Sequence, residues 1–136
     1  MLEQYIRQLL SELEINDMPS KDNKGFYPIS LTNSLILFCK DLFPGILITS
    51  SIVLCPKEHK EALFTYLMKA NFLGLSTGGA AIGLDEEEKF LTLSRVIPYD
   101  INFKTFKEAA EDFANFLELW KNEIERHQKT AAAAIL

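Results

Sequence analysis

The sequence predicts an α+β domain with three helices and an antiparallel sheet of about five strands. Three segments repeat apolar residues every three or four positions, which is typical of amphipathic helices. Five short apolar runs lie between them, bounded by glycine, proline and acidic turns, a pattern typical of strands joined as hairpins. We therefore expect the order α-β-β-β-α-β-β-α, with the helices packed against the sheet.

The N-terminal part of the chain is predicted to form one helix and three strands. The helix covers 2–15, and a turn that contains Pro19 and Gly25 follows it. The strands are expected at 25–31, 35–40 and 46–55. Pro28 predicts that the first strand is an edge strand or contains a bulge, because proline has no N–H for the ladder. The loop before the third strand is expected to present Phe43 outward.

The C-terminal part is predicted to form a helix, two strands and a long final helix. The first of these helices is expected to have Pro56 in its first turn, where proline is tolerated, and to end at Gly74. The strands are expected at 79–84 and 89–97, joined by an acidic turn. The final helix starts near Asn102, and its aromatic residues predict that it is the principal core helix.

The domain organisation follows from length and pattern. The 136 residues contain neither a repeat nor a linker, so we expect one domain over 1–127. The last segment, 128–136, is rich in alanine, which is compatible with a helix, but it lacks a packing pattern. We expect this tail to be disordered or not native to the protein.

Composition excludes several functions. Asp and Glu outnumber Lys and Arg by 19 to 14, so a nucleic-acid or anionic-membrane surface is not expected.

No apolar run is long enough for membrane insertion, and the N-terminus lacks the pattern of a signal peptide, so a cytoplasmic location is expected. Cys39 and Cys55 lie in apolar runs and are expected to be reduced strand residues.

No pattern of catalytic or ligand-binding residues is evident. The GLSTGG run lacks the lysine of a phosphate-binding loop, and no serine lies in a GxSxG elbow. His59 and His127 are isolated and are expected to be solvated, and the acidic run 85–88 lacks the alternating ligands of a calcium loop. We expect neither an enzyme nor a metal site nor a cofactor.

The strands are more apolar than one buried face requires. In the third strand, Ile46, Ile48, Ile52 and Leu54 form one face, whereas Leu47 and Val53 load the other. Taken together, this excess predicts a surface that another chain covers.

The segment 70–97, ANFLGLSTGGAAIGLDEEEKFLTLSRVI, combines a helix end, a glycine-spaced strand, an acidic turn and a second strand. It resembles the corresponding segment of the class I chaperones of bacterial type III secretion, which include the Tir and effector chaperones. Size, acidity and element order extend the resemblance over 2–126. It implies a homodimer in the bacterial cytoplasm. This dimer would hold an extended N-terminal segment of a secreted effector soluble and export-competent without ATP, and would contribute to virulence.

The resemblance also implies two surfaces. The dimer interface would involve the second helix and the strands after it, at Phe64, Leu67, Met68, Phe72, Ala80, Ile82 and Leu93. The effector-binding surface would involve the first helix and the early strands, at Leu2, Ile6, Leu9, Phe26, Ile29, Leu31, Leu35, Leu37 and Phe43. The secretion-apparatus ATPase is a further partner that such a chaperone would have.

Two other functions remain open. One is a small enzyme or ligand-binding domain with an apolar pocket between the sheet and the last helix, lined by Phe103, Phe106, Phe113 and Trp120. The other is a generic dimeric adaptor, which would share the dimer and the exposed apolar patches.

Overall fold

The computed structural model describes the backbone of residues 1–135 and the side chains of residues 1–134. Its elements, in chain order, are α1 (Leu2–Glu12), β1 (Phe26–Thr32), β2 (Leu35–Asp41), β3 (Ile46–Leu54), α2 (Lys60–Ala70), a 3-10 turn (Phe72–Gly74), β4 (Ala81–Leu84), β5 (Phe90–Ile97) and α3 (Phe103–Ile135). The expected α+β class and element order are confirmed.

The five strands form one sheet in the order β1-β2-β3-β5-β4, so β1 and β4 are its edges. Strand β1 pairs antiparallel with β2, and the register shifts between Ser30 and Thr32. The prediction from Pro28 is confirmed, because β1 is an edge strand and also contains an irregularity. At the other edge, β4 pairs antiparallel with β5, with Ile82 opposite Leu93.

The chain divides into two compact units, which are described separately. The first unit contains Met1–Ser50 and Arg95–Ala114. Its buried apolar side chains are Leu2, Ile6, Leu9, Leu10, Ile29, Leu37, Cys39, Ile46, Ile48, Ile97, Phe106, Ala109, Ala110 and Phe113. Tyr5 stacks on Phe106 with ring centroids 5.9 Å apart, and its hydroxyl donates a 2.7 Å hydrogen bond to the Ile101 carbonyl oxygen. These contacts join α1 to the start of α3.

The second unit contains Ser51–Ser94 and the chain from Asn115 onward. Its buried apolar side chains are Ile52, Leu63, Leu67, Ala70, Ala80, Ile82, Leu91, Leu93, Leu117, Trp120 and Ile124. The indole of Trp120 donates a 3.0 Å hydrogen bond to the Ser76 carbonyl oxygen. Gly78 has a φ of 64°, and a Cβ atom there would lie 2.3 Å from the Phe116 ring. The absence of a side chain at Gly78 therefore lets the loop pack closely against α3.

Three helix boundaries differ from the sequence prediction. Helix α1 ends at Glu12, and α2 ends early, at Ala70, after which a 3-10 turn continues the chain to Gly74. Helix α2 also begins only at Lys60, after His59 in a left-handed conformation. Pro56 is therefore not in the first turn of α2. The reason is that the Cys55 N–H donates to the Lys89 carbonyl oxygen at 2.8 Å, which keeps the chain before Pro56 extended beside the sheet.

The alanine-rich end of the chain, which we expected to be disordered, is helical as far as Ile135; Leu136 lies outside the described residues. Alanine has the highest helix propensity, so the run supports continuation of α3. In addition, the Gln128 side-chain amide donates a 2.9 Å hydrogen bond to the Glu58 carbonyl oxygen. The boundary of a single domain at 127 stays a prediction.

Candidate binding surfaces

The two predicted surfaces fall on different units. All nine residues of the predicted effector-binding set lie in the first unit, and all seven of the predicted dimer set lie in the second. Each surface is therefore built by contacts within one unit.

Burial divides the effector-binding set. Five of its side chains belong to the core of the first unit, namely Leu2, Ile6, Leu9, Ile29 and Leu37. Three are half-buried, namely Phe26, Leu31 and Leu35, and Phe43 is 84% exposed. The five core residues hold the surface in shape but cannot contact a docked segment in this conformation. A charge at fully buried Ile29 would disrupt the fold, so it does not test binding.

The first unit has a second apolar face, on the side of the sheet opposite the buried residues. Directly paired residues of antiparallel strands share a face. The pairs Phe26–Lys40, Pro28–Phe38 and Ser30–Ile36 join β1 to β2, and Lys40–Leu47 joins β2 to β3. We call the apolar members Phe26, Ile36, Phe38 and Leu47 the open face.

The open face is accessible and lightly charged. Ile36 is 40% exposed, whereas Phe26, Phe38 and Leu47 are half-buried. The Lys40 ammonium lies 5.4 Å from the centroid of the Phe26 ring, a cation–π arrangement that leaves the rest of the face apolar. The sequence analysis included Phe26 but not the other three residues. Their signal was present, because Ile36, Phe38 and Leu47 alternate with buried strand residues.

A recess of about 280 Å³ adjoins the exposed Phe43 in the first unit. Its lining consists of Met1, Leu2, Glu3, Lys21, Gly25, Tyr27, Lys40, Asp41 and Phe43. Because Lys40 also contacts Phe26, the recess adjoins the open face. Phe43 is thus an apolar rim beside a more polar hollow, which suits an extended chain with mixed side chains.

The outer edge of β1 offers few hydrogen-bonding groups. The Phe26 carbonyl oxygen accepts from the Asp22 N–H at 2.8 Å, and the Phe26 N–H donates to Asp22 Oδ1 at 2.9 Å. The Phe26 peptide groups therefore point away from β2, and the alternation of an antiparallel ladder points those of Pro28 and Ser30 the same way. Since Pro28 lacks an N–H, Ser30 is the residue that offers both groups in the regular part of this edge, before the register shift.

The second unit carries an apolar groove between α2 and β4. Its volume is about 200 Å³, and it is lined by Phe64, Leu67, Met68, Asn71, Ile82, Gly83, Leu84 and Leu91. A neighbouring recess shares Met68 and reaches Phe72. Met68 is 75% exposed and Phe72 is 67% exposed. Large apolar side chains exposed together are typical of a surface that another chain covers.

The groove contains most of the predicted dimer set. Phe64, Leu67, Met68 and Ile82 line it, and Phe72 lines the adjacent recess. Ala80 and Leu93 are buried and line neither hollow. The sequence analysis missed Leu84 and Leu91, although both lie in the apolar runs of the β4–β5 hairpin.

Two ionisable sites show how the units are stabilised. Burial raises the pKa of the Cys39 thiol to about 12, so this cysteine is uncharged. In the second unit, hydrogen bonds from Arg126 and Tyr66 lower the pKa of Glu123 to about 2. His127 is not simply solvated, because its ring stacks on Tyr66 with centroids 5.1 Å apart. These groups stabilise their units through burial, hydrogen bonds and ring stacking.

Within residues 1–135, no group of three or more His, Cys, Asp or Glu side chains lies close enough to hold a metal ion. None of the helices in the same part of the chain is long and apolar enough to cross a membrane.

Comparison with known proteins gives matches that cover nearly the whole chain. The model of the Tir chaperone protein (CesT) family matches residues 4–121. A Chlamydia pneumoniae protein, CPj0713/CpB0740, is 25% identical over 126 residues, which is 91% of this chain and 96% of that protein.

Three solved complexes contain chains of similar fold. A chain of the ExsC–ExsE complex superposes with a TM-score of 0.72 at 14% identity, covering 89% of this chain and 91% of the other. A chain of the HopA1–SchA chaperone–effector complex gives 0.67 at 15% identity, covering 89% and 93%. A chain of the heterodimeric ExoU–SpcU complex from the type III secretion system of Pseudomonas aeruginosa gives 0.64 at 15% identity, covering 91% and 94%.

Proposed function

The chain belongs to the Tir chaperone protein (CesT) family of non-enzymatic, effector-binding type III secretion chaperones, and we propose that it acts as a homodimer that holds an extended N-terminal segment of one secreted effector. The observation that carries this proposal is the family match, because residues 4–121 include both candidate surfaces. The client would be kept locally unfolded, soluble and competent for export.

The first unit supplies the surface that we propose for the effector. Apolar side chains of the extended segment would pack on the open face and against Phe43. Its backbone would exchange a single pair of hydrogen bonds with Ser30, the edge residue with both peptide groups pointing outward, which orients the segment while the apolar contacts hold it. Main-chain pairing of this kind does not depend on the client sequence, whereas the apolar contacts select the client's side chains. Holding by these contacts requires no ATP.

The second unit supplies the surface that we propose for the dimer. A second copy would cover Met68 and Phe72 and fill the groove between α2 and β4. A twofold contact is self-complementary, so the same side chains serve on both copies. We expect the interface to bury about 1,600 Å² in total, the size of a standard specific interface.

The net charge of -5 suits a holding protein that must stay dispersed while apolar surface is exposed. We place the complex in the bacterial cytoplasm, where effectors await export, and propose the secretion-apparatus ATPase as the receiver of the loaded dimer. Both proposals rest on the family membership.

The experiment that tests the function is affinity purification of the tagged chain from its native cells, with light scattering to measure the mass of the complex. Recovery of a secreted protein that is bound through its N-terminal segment, at two chains to one client, would support the proposal. A monomer without a protein partner would contradict it.

The ligand-binding alternative has lost its structural basis. Three of the four aromatic residues assigned to its pocket, Phe106, Phe113 and Trp120, are buried in the cores of their units. Phe106 packs on Tyr5, and Trp120 is hydrogen-bonded to the Ser76 carbonyl oxygen. They fill space rather than line it.

A further inference from the structure

The outer edge of β4 is closed by polar groups from the segment that precedes it. The Ile82 N–H donates a 2.7 Å hydrogen bond to Asn71 Oδ1, and the Asn71 side-chain amide donates a 2.8 Å hydrogen bond to the Ile82 carbonyl oxygen. One side chain therefore satisfies both peptide groups of Ile82, as a neighbouring strand would.

The ladder geometry shows which side of β4 is covered. Ile82 faces Leu93 of β5, and paired residues of antiparallel strands either exchange both hydrogen bonds or point both groups outward. Because Ile82 is bonded to Asn71, its groups point outward. Because this direction alternates along a strand, the backbone N–H and C=O groups of Ala80 and Leu84 also point outward, whereas those of Gly83 point toward β5.

Thr77 closes the adjacent position in the same way. The Ala80 N–H donates to the Thr77 carbonyl oxygen at 3.2 Å, and the buried Thr77 hydroxyl donates to the Ala80 carbonyl oxygen. Leu84 is thus left as the outward-facing residue of β4 whose peptide groups have no partner among the described residues. One such residue cannot anchor a partner strand, which needs a run of successive outward pairs.

We propose that the Asn71 side chain, by occupying the hydrogen-bonding groups of the β4 edge, prevents this edge from pairing with a strand of a second copy of this chain. Without the Asn71 side chain, Ile82 and Leu84 would offer two successive outward pairs, enough for four hydrogen bonds to the same edge of another copy. These unpaired backbone groups would lie beside the exposed apolar groove and would favour association with another copy. With Asn71 in place, copies meet through side chains only; this last statement rests on the proposed homodimer, whereas closure of the edge does not.

The test compares Asn71→Ala with the parent chain by light scattering from about 1 to about 100 µM, and by hydrogen exchange of backbone amides. At about 1 µM, where the copies are not yet associated, the Ile82 amide of Asn71→Ala is expected to exchange on the order of tenfold faster, while the Gly83 amide, which points toward β5, is unchanged. The mass of this variant is expected to rise with concentration above that of the parent.

A second substitution, at Ala81, tests whether copies of Asn71→Ala associate through the β4 edge. Ala81 is exposed on β4, and a lysine on an edge strand opposes pairing with another strand. The double variant Asn71→Ala with Ala81→Lys is expected to return to the parental mass and to keep the fast exchange of Ile82. Ala81→Lys alone is the matched control and is expected to behave as the parent.

Asn71→Asp covers the case in which Asn71→Ala does not fold. It removes the donor to the Ile82 carbonyl oxygen but keeps nearly the same volume and adds a charge at the edge, so the parental mass is expected. A mass of Asn71→Asp that rises with concentration, or a folded Asn71→Ala that keeps the parental mass, would overturn the proposal. A monomeric parent would refute the proposed dimer and leave the edge test intact.

Discussion

The hydroxyl of Tyr66 on α2 donates a 2.7 Å hydrogen bond to Glu123 Oε2 on α3. Arg126 contacts the same carboxylate, with its Nη2 2.9 Å from Oε2. Both donors favour the charged carboxylate, so they lower the pKa of Glu123 to about 2, and the Glu123 hydrogen bond raises the pKa of Tyr66. The pair joins two helices of the second unit across 57 positions of sequence.

This pair predicts a pH-dependent stability. A carboxyl whose pKa is lowered in the folded state stabilises it fully above the unfolded pKa of about 4.5, and the contribution is lost as the pH falls toward about 2. We expect Tyr66→Phe to melt below the parent at neutral pH, with a difference that shrinks between pH 4.5 and pH 2. Thermal unfolding followed by circular dichroism at a series of pH values measures it.

The matched control for this prediction is Tyr99→Phe, which removes the same hydroxyl from an exposed tyrosine. Its melting temperature is expected to follow the parent at every pH. A constant difference between Tyr66→Phe and the parent across the acid range would show that the hydroxyl acts through packing and not through the Glu123 carboxylate.

Replacing Gly45 by alanine is expected to cause a large loss of stability. Its φ is 95°, and a Cβ atom would lie 1.9 Å from the Ile97 carbonyl oxygen. Both the positive φ and the backbone clash oppose a side chain, so Gly45→Ala is expected to lower the free energy of unfolding by about 3 kcal/mol. Urea denaturation measures the change.

Gly83→Ala is the control for that experiment. A Cβ atom at Gly83 would meet Thr92 Oγ1 at 3.8 Å, an ordinary contact, and its φ is not positive. A change within about 0.5 kcal/mol is expected. Equal losses in the two variants would mean that glycine composition, rather than the approach of Ile97, determines the effect.

The sequence predicted the fold well because the signals that define its elements are local. Apolar spacing located the helices and strands, and Pro28 identified an edge strand from the chemistry of one residue. The helical structure of the terminal alanines was not predicted, since it depends on propensity and on the contact from Gln128 to Glu58, 70 positions away.

The candidate site was predicted less completely, because alternate residues of a strand lie on opposite faces of the sheet. Alternation separates Ile29 and Leu37 from Ile36 and Phe38, but it does not state which set faces the helices. On these two strands the sequence analysis chose Ile29 and Leu37, which the structure buries, and only Phe26 of the open face. Likewise, the role of Asn71 was not predicted, because it depends on where the chain places Ile82 after the intervening loop.

The proposed dimer predicts the effect of a charge in the groove of the second unit. Met68→Asp is expected to weaken dimerisation about 30-fold or more, because an aspartate would be buried without a partner at the centre of the contact. Light scattering at about 10 µM is expected to give the monomer mass for this variant and the dimer mass for the parent. Leu119→Asp, at an exposed apolar residue of the same unit, is the control and is expected to stay dimeric.

The proposed client surface predicts a loss of effector binding without loss of the dimer. Phe43→Asp and Ile36→Asp place charges at the exposed rim and on the open face, where they need not be buried until a client docks. Each is expected to weaken binding of the co-purified effector segment about 30-fold or more, measured by calorimetry, while the mass of the free chaperone is unchanged. Leu13→Asp, at a 48% exposed residue after α1, is the matched control and is expected to bind normally. Normal binding by folded, dimeric Phe43→Asp and Ile36→Asp would show that the client docks elsewhere, whereas loss of binding in Leu13→Asp as well would extend the surface to the end of α1.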